Sequence, residues 1–239
     1  MKKNKNRKIN NWDKIVTRFV LLALTLSTIF VLIMLIFPTN RVVNGEIIKT
    51  RSDYVLMLIQ CVLGIAAVFL PSILEKKWKL EIPSSMEILY VVFLYCAIIL
   101  GEVRNFYYTF SHWDTILHIF SGGMLGALGF SVVSIMNKSK RWHLNLRPSF
   151  VAFFAFCFAI TLGVAWEIYE FSFDGLLGLN MQKFALENGT ELIGRFALKD
   201  TMKDLIVDAL GAFVVSLIGF ISLKYKKGWL KKIIIHNYK

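Results

Sequence analysis

Long apolar stretches separated by short polar segments dominate the chain. Six of them reach or approach the length of about 20 apolar residues that a helix needs to cross a membrane. They cover residues 18–37, 54–74, 86–101, 113–136, 149–171 and 201–223. The pattern predicts an all-α fold, a polytopic membrane helix bundle of six transmembrane helices forming one domain over residues 18–224. Basic tails flank this domain at residues 1–17 and 225–239.

Composition supports a membrane protein. Of the 239 residues, 56% are hydrophobic and only four are proline, which is typical of one membrane helical domain rather than of several soluble ones. Cys61, Cys96 and Cys157 each fall in the middle of a predicted helix. We therefore interpret them as small apolar side chains rather than as a disulfide set or a metal motif.

The net charge of +12 is distributed unevenly along the chain. If the N-terminus is cytoplasmic, most of the 28 lysine and arginine residues lie on the cytoplasmic side, as the positive-inside rule requires. An even number of helices then places both termini in the cytoplasm. We expect membrane lipids as partners, with anionic headgroups at the cytoplasmic face attracted to the basic tails, and no nucleic acid.

Acidic residues in and beside the predicted helices gather at the opposite, outer end of the bundle. A charged side chain within the hydrocarbon costs about 2.5–3.5 kcal/mol on insertion scales, and such residues usually face the bundle interior. In the derived topology, the start of the fourth helix, the end of the fifth and the start of the sixth all lie on this side. The residues concerned are Glu102, Asp114, His118, Glu167, Glu170, Asp174, Asp200, Asp204 and Asp208.

The fourth predicted helix carries Asp114 and His118 at positions i and i+4, so the two side chains share one helix face. Asp114 has an ordinary explanation, because Ser111-x-x-Asp114 fits a capping box and an acid stabilises the first turn of a helix. His118 lies deeper and beside carboxylates, which makes it a candidate metal ligand or proton carrier. Gly122 and Gly126 follow at the spacing that lets helices approach closely, which indicates packing.

Carboxylates also cluster on the fifth and sixth predicted helices. Glu167 and Glu170 stand at i and i+3, a pair that can hold a divalent ion or share a proton. Asp200, Asp204 and Asp208 form a stripe at i, i+4 and i+8. Asp200 fits an N-cap, whereas Asp208 lies inside an apolar stretch. We favour a functional role for Asp208 over a protonated carboxyl that only joins helices.

The segment at residues 172–199 is the exception among short connections. It mixes apolar residues with several glycines, and long loops of this kind are usually functional or interfacial. Two interpretations remain open. The segment is either a lid or short re-entrant helix over the acidic residues, or an amphipathic piece that lies on the headgroups.

Three motifs resemble those of the YjdF-like family of uncharacterised bacterial inner-membrane proteins and, more distantly, those of the VanZ-like membrane proteins. They are Asp114-x3-His118, Trp166-Glu167-x2-Glu170 and Asp200-Thr201-x2-Asp204-x3-Asp208-x2-Gly211. The resemblance covers about residues 110–210 and implies a multi-pass protein of the bacterial plasma membrane. VanZ-like members are linked to glycopeptide resistance and YjdF-like members have no established activity. The resemblance thus supports the site without naming a reaction.

Our first hypothesis is a metal-dependent membrane enzyme that acts at the outer leaflet on a lipid or lipid-linked envelope substrate. The predicted metal ligands are His118, Glu170, Asp204 and Asp208. The candidates for a general base, or for a partner of the ligands, are Glu167 and Asp114, and the further acids at this end are Asp174 and Asp200. An imidazole among carboxylates suits zinc, manganese or magnesium, and such an ion polarises an oxygen or activates water.

Two alternatives stay open. The protein could be a transporter or channel that uses the carboxylates as a proton or cation relay, with Arg104 and Lys203 as counter-charges, although no inverted repeat marks it as a secondary transporter. It could also be a structural or accessory membrane protein whose buried acids only specify helix packing. The sequence does not choose among these classes, nor does it fix the oligomeric state.

Overall fold

Helices that could cross a membrane make up most of the structure. The computed structural model describes residues 11–37, 41–43, 46–138, 146–186, 189–229 and 234–237. Within them, six helical spans are long and apolar enough to cross a membrane, so the prediction of an all-α polytopic membrane bundle is confirmed. Most of the predicted N-terminal tail and part of the predicted C-terminal tail fall outside the described residues.

The first three spans form the N-terminal half of the bundle. They are built from α1 (Asn11–Ile36), α2 (Arg51–Val68), α3 (Leu70–Trp78), α4 (Ser84–Leu94) and a π-helix (Tyr95–Val103). Helices α2 and α3 divide one span, because Pro71 in the first turn of α3 has no N–H to continue the helical hydrogen bonding. Val20, Leu24, Cys61 and Val91 are buried together at the centre of this half, as expected for a cysteine that acts as an apolar side chain.

The last three spans form the C-terminal half. They follow the short helix α5 (Phe106–Thr109) and are α6 (Trp113–Lys138), α7 (Pro148–Leu177) and α8 (Arg195–Lys224). We call the end where α6 and α8 begin and α7 ends the acidic end, and the opposite, lysine-rich end the basic end. Gly122 contacts the backbone of Asp208, and Gly211 contacts the carbonyl oxygen of Ile119, so that a Cβ at either glycine would overlap the facing helix. The predicted packing role of small residues is confirmed.

Helices α7 and α8 are longer than the hydropathy pattern predicts. Gly178 ends α7 in a left-handed conformation with φ of 63°, and α8 begins directly after Gly194, whose φ is 62°. The prediction that Asp200 caps the sixth span is therefore wrong, because Asp200 lies inside α8. Asp174 lies inside α7 for the same reason. The helix boundaries follow glycine conformations rather than the limits of apolar composition.

Two small antiparallel strand pairs, which the sequence analysis did not predict, occur at opposite ends of the bundle. They are β1 (Arg41–Val43) with β2 (Glu46–Lys49) at the acidic end, and β3 (Leu80–Glu81) with β4 (His236–Asn237) at the basic end. Next to β4, the backbone N–H of Ile235 donates a hydrogen bond of 3.0 Å to Ser131 Oγ on α6. This part of the predicted C-terminal tail thus folds back onto the bundle.

Candidate cation site

The acidic residues of α6, α7 and α8 meet at the acidic end. His118, Glu167, Asp174, Asp204 and Asp208 are buried there. Asp114, Glu170 and Asp200 are partly exposed beside them. The convergence follows from helix direction, because α6 and α8 run away from this end and α7 runs toward it. Charged groups at this depth are costly unless they are paired, protonated or bound to a cation.

The imidazole of His118 is held from one side by Asp208. Nδ1 of His118 lies 3.3 Å from Asp208 Oδ2, and Ser121 Oγ donates a 3.0 Å hydrogen bond to Asp208 Oδ1. A Cβ at Gly163 would stand 2.9 Å from Asp208 Oδ2, so a side chain at this position of α7 would displace the carboxylate from its place beside His118. A carboxylate on Nδ1 fixes the proton on that nitrogen and leaves the lone pair of Nε2 available to a metal ion.

The other ring nitrogen of His118 faces two carboxylates. Nε2 lies 3.7 Å from Asp114 Oδ1 and 3.9 Å from Asp204 Oδ2. One ligand atom from each of the three residues lies within 4.8 Å of the others. Because bonds of zinc to nitrogen and oxygen are about 2.0–2.2 Å long, small carboxylate rotations would let one ion contact all three atoms.

Several buried carboxyl oxygens have no partner within the described part of the chain. Neither oxygen of Glu167 accepts a hydrogen bond there, although the residue is only 4% exposed. Oδ1 of Asp204 also lacks a hydrogen-bond partner there, and Asp204 is only 3% exposed. A buried polar group without a partner costs about 1–3 kcal/mol, and more when it is charged. These oxygens therefore favour a bound cation or bound protons at the acidic end.

Lys183 is the cation of the site that the sequence analysis missed. Its Nζ lies 2.6 Å from Asp114 Oδ2 and 3.6 Å from Asp200 Oδ2. Burial alone would lower the pKa of Lys183, but the carboxylates of Asp114 and Asp200 outweigh burial and raise this pKa above its ordinary value. The predicted counter-charges Arg104 and Lys203 supply none of the ion pairs described for these acids. One feature of the sequence could have indicated its role: Lys183 is a lysine in a loop next to a cluster of acidic residues.

The connection between α7 and α8 is organised around Asp174. Its carboxylate accepts hydrogen bonds from the backbone N–H groups of Met181 at 2.7 Å and Gln182 at 2.9 Å. Gln182 Nε2 in turn donates to Thr201 Oγ1 on α8 at 2.8 Å. Asp174 therefore shapes the loop instead of joining the group around His118. Among the described residues this connection contains no re-entrant helix. Lys183 in this connection contacts Asp114 and Asp200, so part of it lies against the site, and the choice between a lid and a segment on the headgroups stays a prediction.

Two other predicted residues do not join the three groups that converge around the imidazole. Glu170 shares the face of α7 with Glu167 but is not among the three groups whose ligand atoms converge in the described residues. Glu102 instead lines a cavity of about 230 Å³ together with Lys49 and Tyr108. Lys49 Nζ donates to the carbonyl oxygen of Glu102 at 3.2 Å.

The fold and this cluster define a polytopic helical membrane protein with a buried histidine–carboxylate site at one end of its bundle. Comparison with known sequences gives the family. The chain belongs to the DUF2238 family of predicted membrane proteins, whose sequence profile matches residues 19–225. It is also similar to an uncharacterized protein of Thermotoga maritima, with 27% identity over 192 residues that cover 80% of this chain and 86% of the relative. No solved structure matches the chain significantly.

Proposed function

We propose that this protein binds a divalent cation at the acidic end and uses it as a metal-dependent membrane enzyme. The observation that carries the proposal is the orientation of His118. Asp208 holds Nδ1, while Nε2 faces Asp114 Oδ1 and Asp204 Oδ2. In metalloproteins, a ligating histidine typically donates its second ring N–H to a carboxylate in this way.

The proposed ligand set differs in part from the set expected from sequence. His118 and Asp204 remain ligands, Asp114 becomes a ligand, and Asp208 becomes the residue that orients the imidazole. Glu170 stays a proposed contributor from α7, further from the converging atoms. One nitrogen and two carboxylate oxygens suit zinc, manganese or magnesium. Three protein ligands leave a coordination position free, which is the arrangement of catalytic rather than structural sites.

Glu167 fits the role of general base in this proposal. Its carboxyl group is buried beside the cluster, and neither of its oxygens has a hydrogen-bond partner among the described residues. A bound ion would polarise a substrate oxygen or lower the pKa of a water molecule, and Glu167 would accept the proton. We expect a lipid or lipid-linked envelope compound as substrate, because the site lies within the ends of the spanning helices.

Membrane orientation completes the proposal. The lysine-rich end is expected to face the cytoplasm, which places both termini there and the acidic end toward the outer leaflet of a bacterial plasma membrane. The motifs on α6, α7 and α8 support a relationship with the YjdF-like proteins, and the basic end is expected to bind anionic headgroups.

The packing below the site favours a one-sided site over a relay across the membrane. Gly211 contacts the carbonyl oxygen of Ile119, and Gly219 contacts the ring of Phe130. On the other side of α6, a Cβ at Gly129 would lie 2.7 Å from the Cα of Ala155. These contacts leave little room for water molecules between α6 and its neighbours at the three glycines. Transport is for this reason the weaker alternative.

Elemental analysis of detergent-purified protein tests the proposal. We expect the wild type to retain close to one equivalent of a transition metal or to bind added Mn²⁺, and His118→Ala to lose this binding. His112→Ala is the matched control, because His112 is exposed at the same end of α6 and should leave binding unchanged. Metal-free wild type that also fails to bind added zinc, manganese or magnesium would refute the proposal.

A further inference from the structure

The loop from Gly178 to Leu186, here called the strap, crosses the acidic end and carries Lys183. Asp174 fixes its backbone by accepting the N–H groups of Met181 and Gln182. Lys183 follows directly, with φ of 49°, a left-handed conformation that residues other than glycine adopt only at an energetic cost. The backbone is thus built to present this one side chain to the site.

The ammonium group of Lys183 occupies a defined position. It pairs with Asp114 and Asp200, and its Nζ lies 4.7 Å from the centroid of the Tyr107 ring. The side chain is only 20% exposed. Carboxylates from α6 and α8 and an aromatic ring from α5 surround the charge, as expected for an internal counter-ion rather than for a freely solvated surface lysine.

Asp114 is shared between this ammonium group and the proposed metal. Oδ2 of Asp114 binds Lys183 at 2.6 Å, whereas Oδ1 of the same carboxylate faces His118 Nε2 at 3.7 Å. A divalent ion held by Oδ1 would be separated from the ammonium group of Lys183 only by the carboxylate of Asp114. Repulsion between two cations at such a distance is strong in a poorly solvated site.

We infer that Lys183 is a tethered internal cation that competes with the bound metal for Asp114, so that metal loading releases the ammonium group of the strap. The inference rests on the proposed function. By thermodynamic linkage, a metal that displaces Lys183 must bind more tightly when the lysine charge is absent. If Lys183 instead served only to position Asp114, its removal would weaken metal binding, so the two roles differ in the sign of their effect.

Calorimetric titration of Mn²⁺ into detergent-purified full-length protein decides the sign. We expect Lys183→Met to lower the dissociation constant at least tenfold and Lys183→Arg, which keeps the charge, to stay within a few-fold of the wild type. Lys199→Met is the control, because Lys199 is exposed in the first turns of α8. Equal or weaker binding by a folded Lys183→Met variant overturns the inference and leaves the proposed function intact.

A second measurement needs no substitution in the strap. Acetylation of wild-type lysines by an amine-reactive reagent, quantified by mass spectrometry, should rise several-fold at Lys183 when Mn²⁺ is added, with Lys199 as internal reference. His118→Ala should abolish the rise. Unchanged acetylation of Lys183 in metal-loaded protein overturns the inference. If no variant binds a metal, proposed function and inference both fail. Binding by Lys183→Met alone would refute the proposed function and overturn the inference, because no metal would then load the wild type and release Lys183.

Discussion

Replacing Asp208 by Asn separates the possible roles of the deepest carboxylate. Asn has nearly the same size as Asp. It therefore fits beside Gly163, where a Cβ would stand only 2.9 Å from the carboxylate. The contact between α7 and α8 should persist. Its side-chain oxygen can still accept a hydrogen bond from Nδ1 of His118. The negative charge is lost, and with it part of the electrostatic hold on the imidazole.

The structure sets the size of the expected effect. Partners of a ligating histidine typically contribute 10- to 100-fold to metal affinity, which corresponds to about 1.4–2.7 kcal/mol. The separation of 3.3 Å between His118 Nδ1 and Asp208 Oδ2 is longer than the 2.7–2.9 Å typical of strong charge-assisted hydrogen bonds. We therefore expect about a tenfold loss for Asp208→Asn. Asp208→Ala, which removes the acceptor altogether, should approach a hundredfold loss.

The assay is Mn²⁺ titration of the purified variants together with thermal unfolding of each. Asp13→Asn is a matched control, because Asp13 is a buried aspartate at the basic end and should leave metal affinity unchanged. Affinity equal to the wild type in both Asp208 variants would refute the orienting role. Complete loss of binding in Asp208→Asn, as severe as in His118→Ala, would instead make Asp208 a ligand, as the sequence analysis expected.

Three further predictions concern packing, stability and the loop. Gly211→Ala should destabilise the protein by about 1–3 kcal/mol, because the new Cβ overlaps the carbonyl oxygen of Ile119. Gly175→Ala, with open space around the new Cβ, should leave stability unchanged. Thermal unfolding of the two variants measures the difference. Mn²⁺ at a hundred times its dissociation constant should raise the free energy of unfolding by about 2.7 kcal/mol in the wild type and leave the melting temperature of His118→Ala unchanged. Asp174→Ala should leave two backbone N–H groups without their acceptor and speed their hydrogen exchange, measured by mass spectrometry, by at least tenfold; equally slow exchange would show that Asp174 does not hold the strap.

The spans were predictable from sequence because crossing a membrane imposes a local requirement. About 20 consecutive residues must be apolar whatever their neighbours in space, and the six spans of the structure overlap the six predicted segments. The sharing of one helix face by Asp114 and His118 was predictable for a similar reason, since it depends only on helical periodicity. Their 3.7 Å contact is the result.

Helix ends were not predictable from the hydrophobic pattern because each depends on the backbone conformation of a single residue. Gly178 and Gly194 adopt positive φ values, which composition does not reveal, and they move the boundaries of α7 and α8 beyond the apolar stretches. The roles of Asp174 and Asp200 therefore differ from those expected. Asp174 accepts hydrogen bonds from the strap, and Asp200 pairs with Lys183 instead of capping a helix.

Sequence alone determined that the acids of α6, α7 and α8 and His118 gather at one end of the bundle, since the apolar stretches fix the number of spans and consecutive spans alternate in direction. Only the tertiary structure decided which side of the imidazole each carboxylate occupies. Asp208 lies on Nδ1 of His118, and Asp114 and Asp204 lie on Nε2, because glycines allow α8 to approach α6 and α7 at one particular height. The structure also brought Lys183 to the site from a loop without periodicity, where no sequence rule relates a residue to its distant partners.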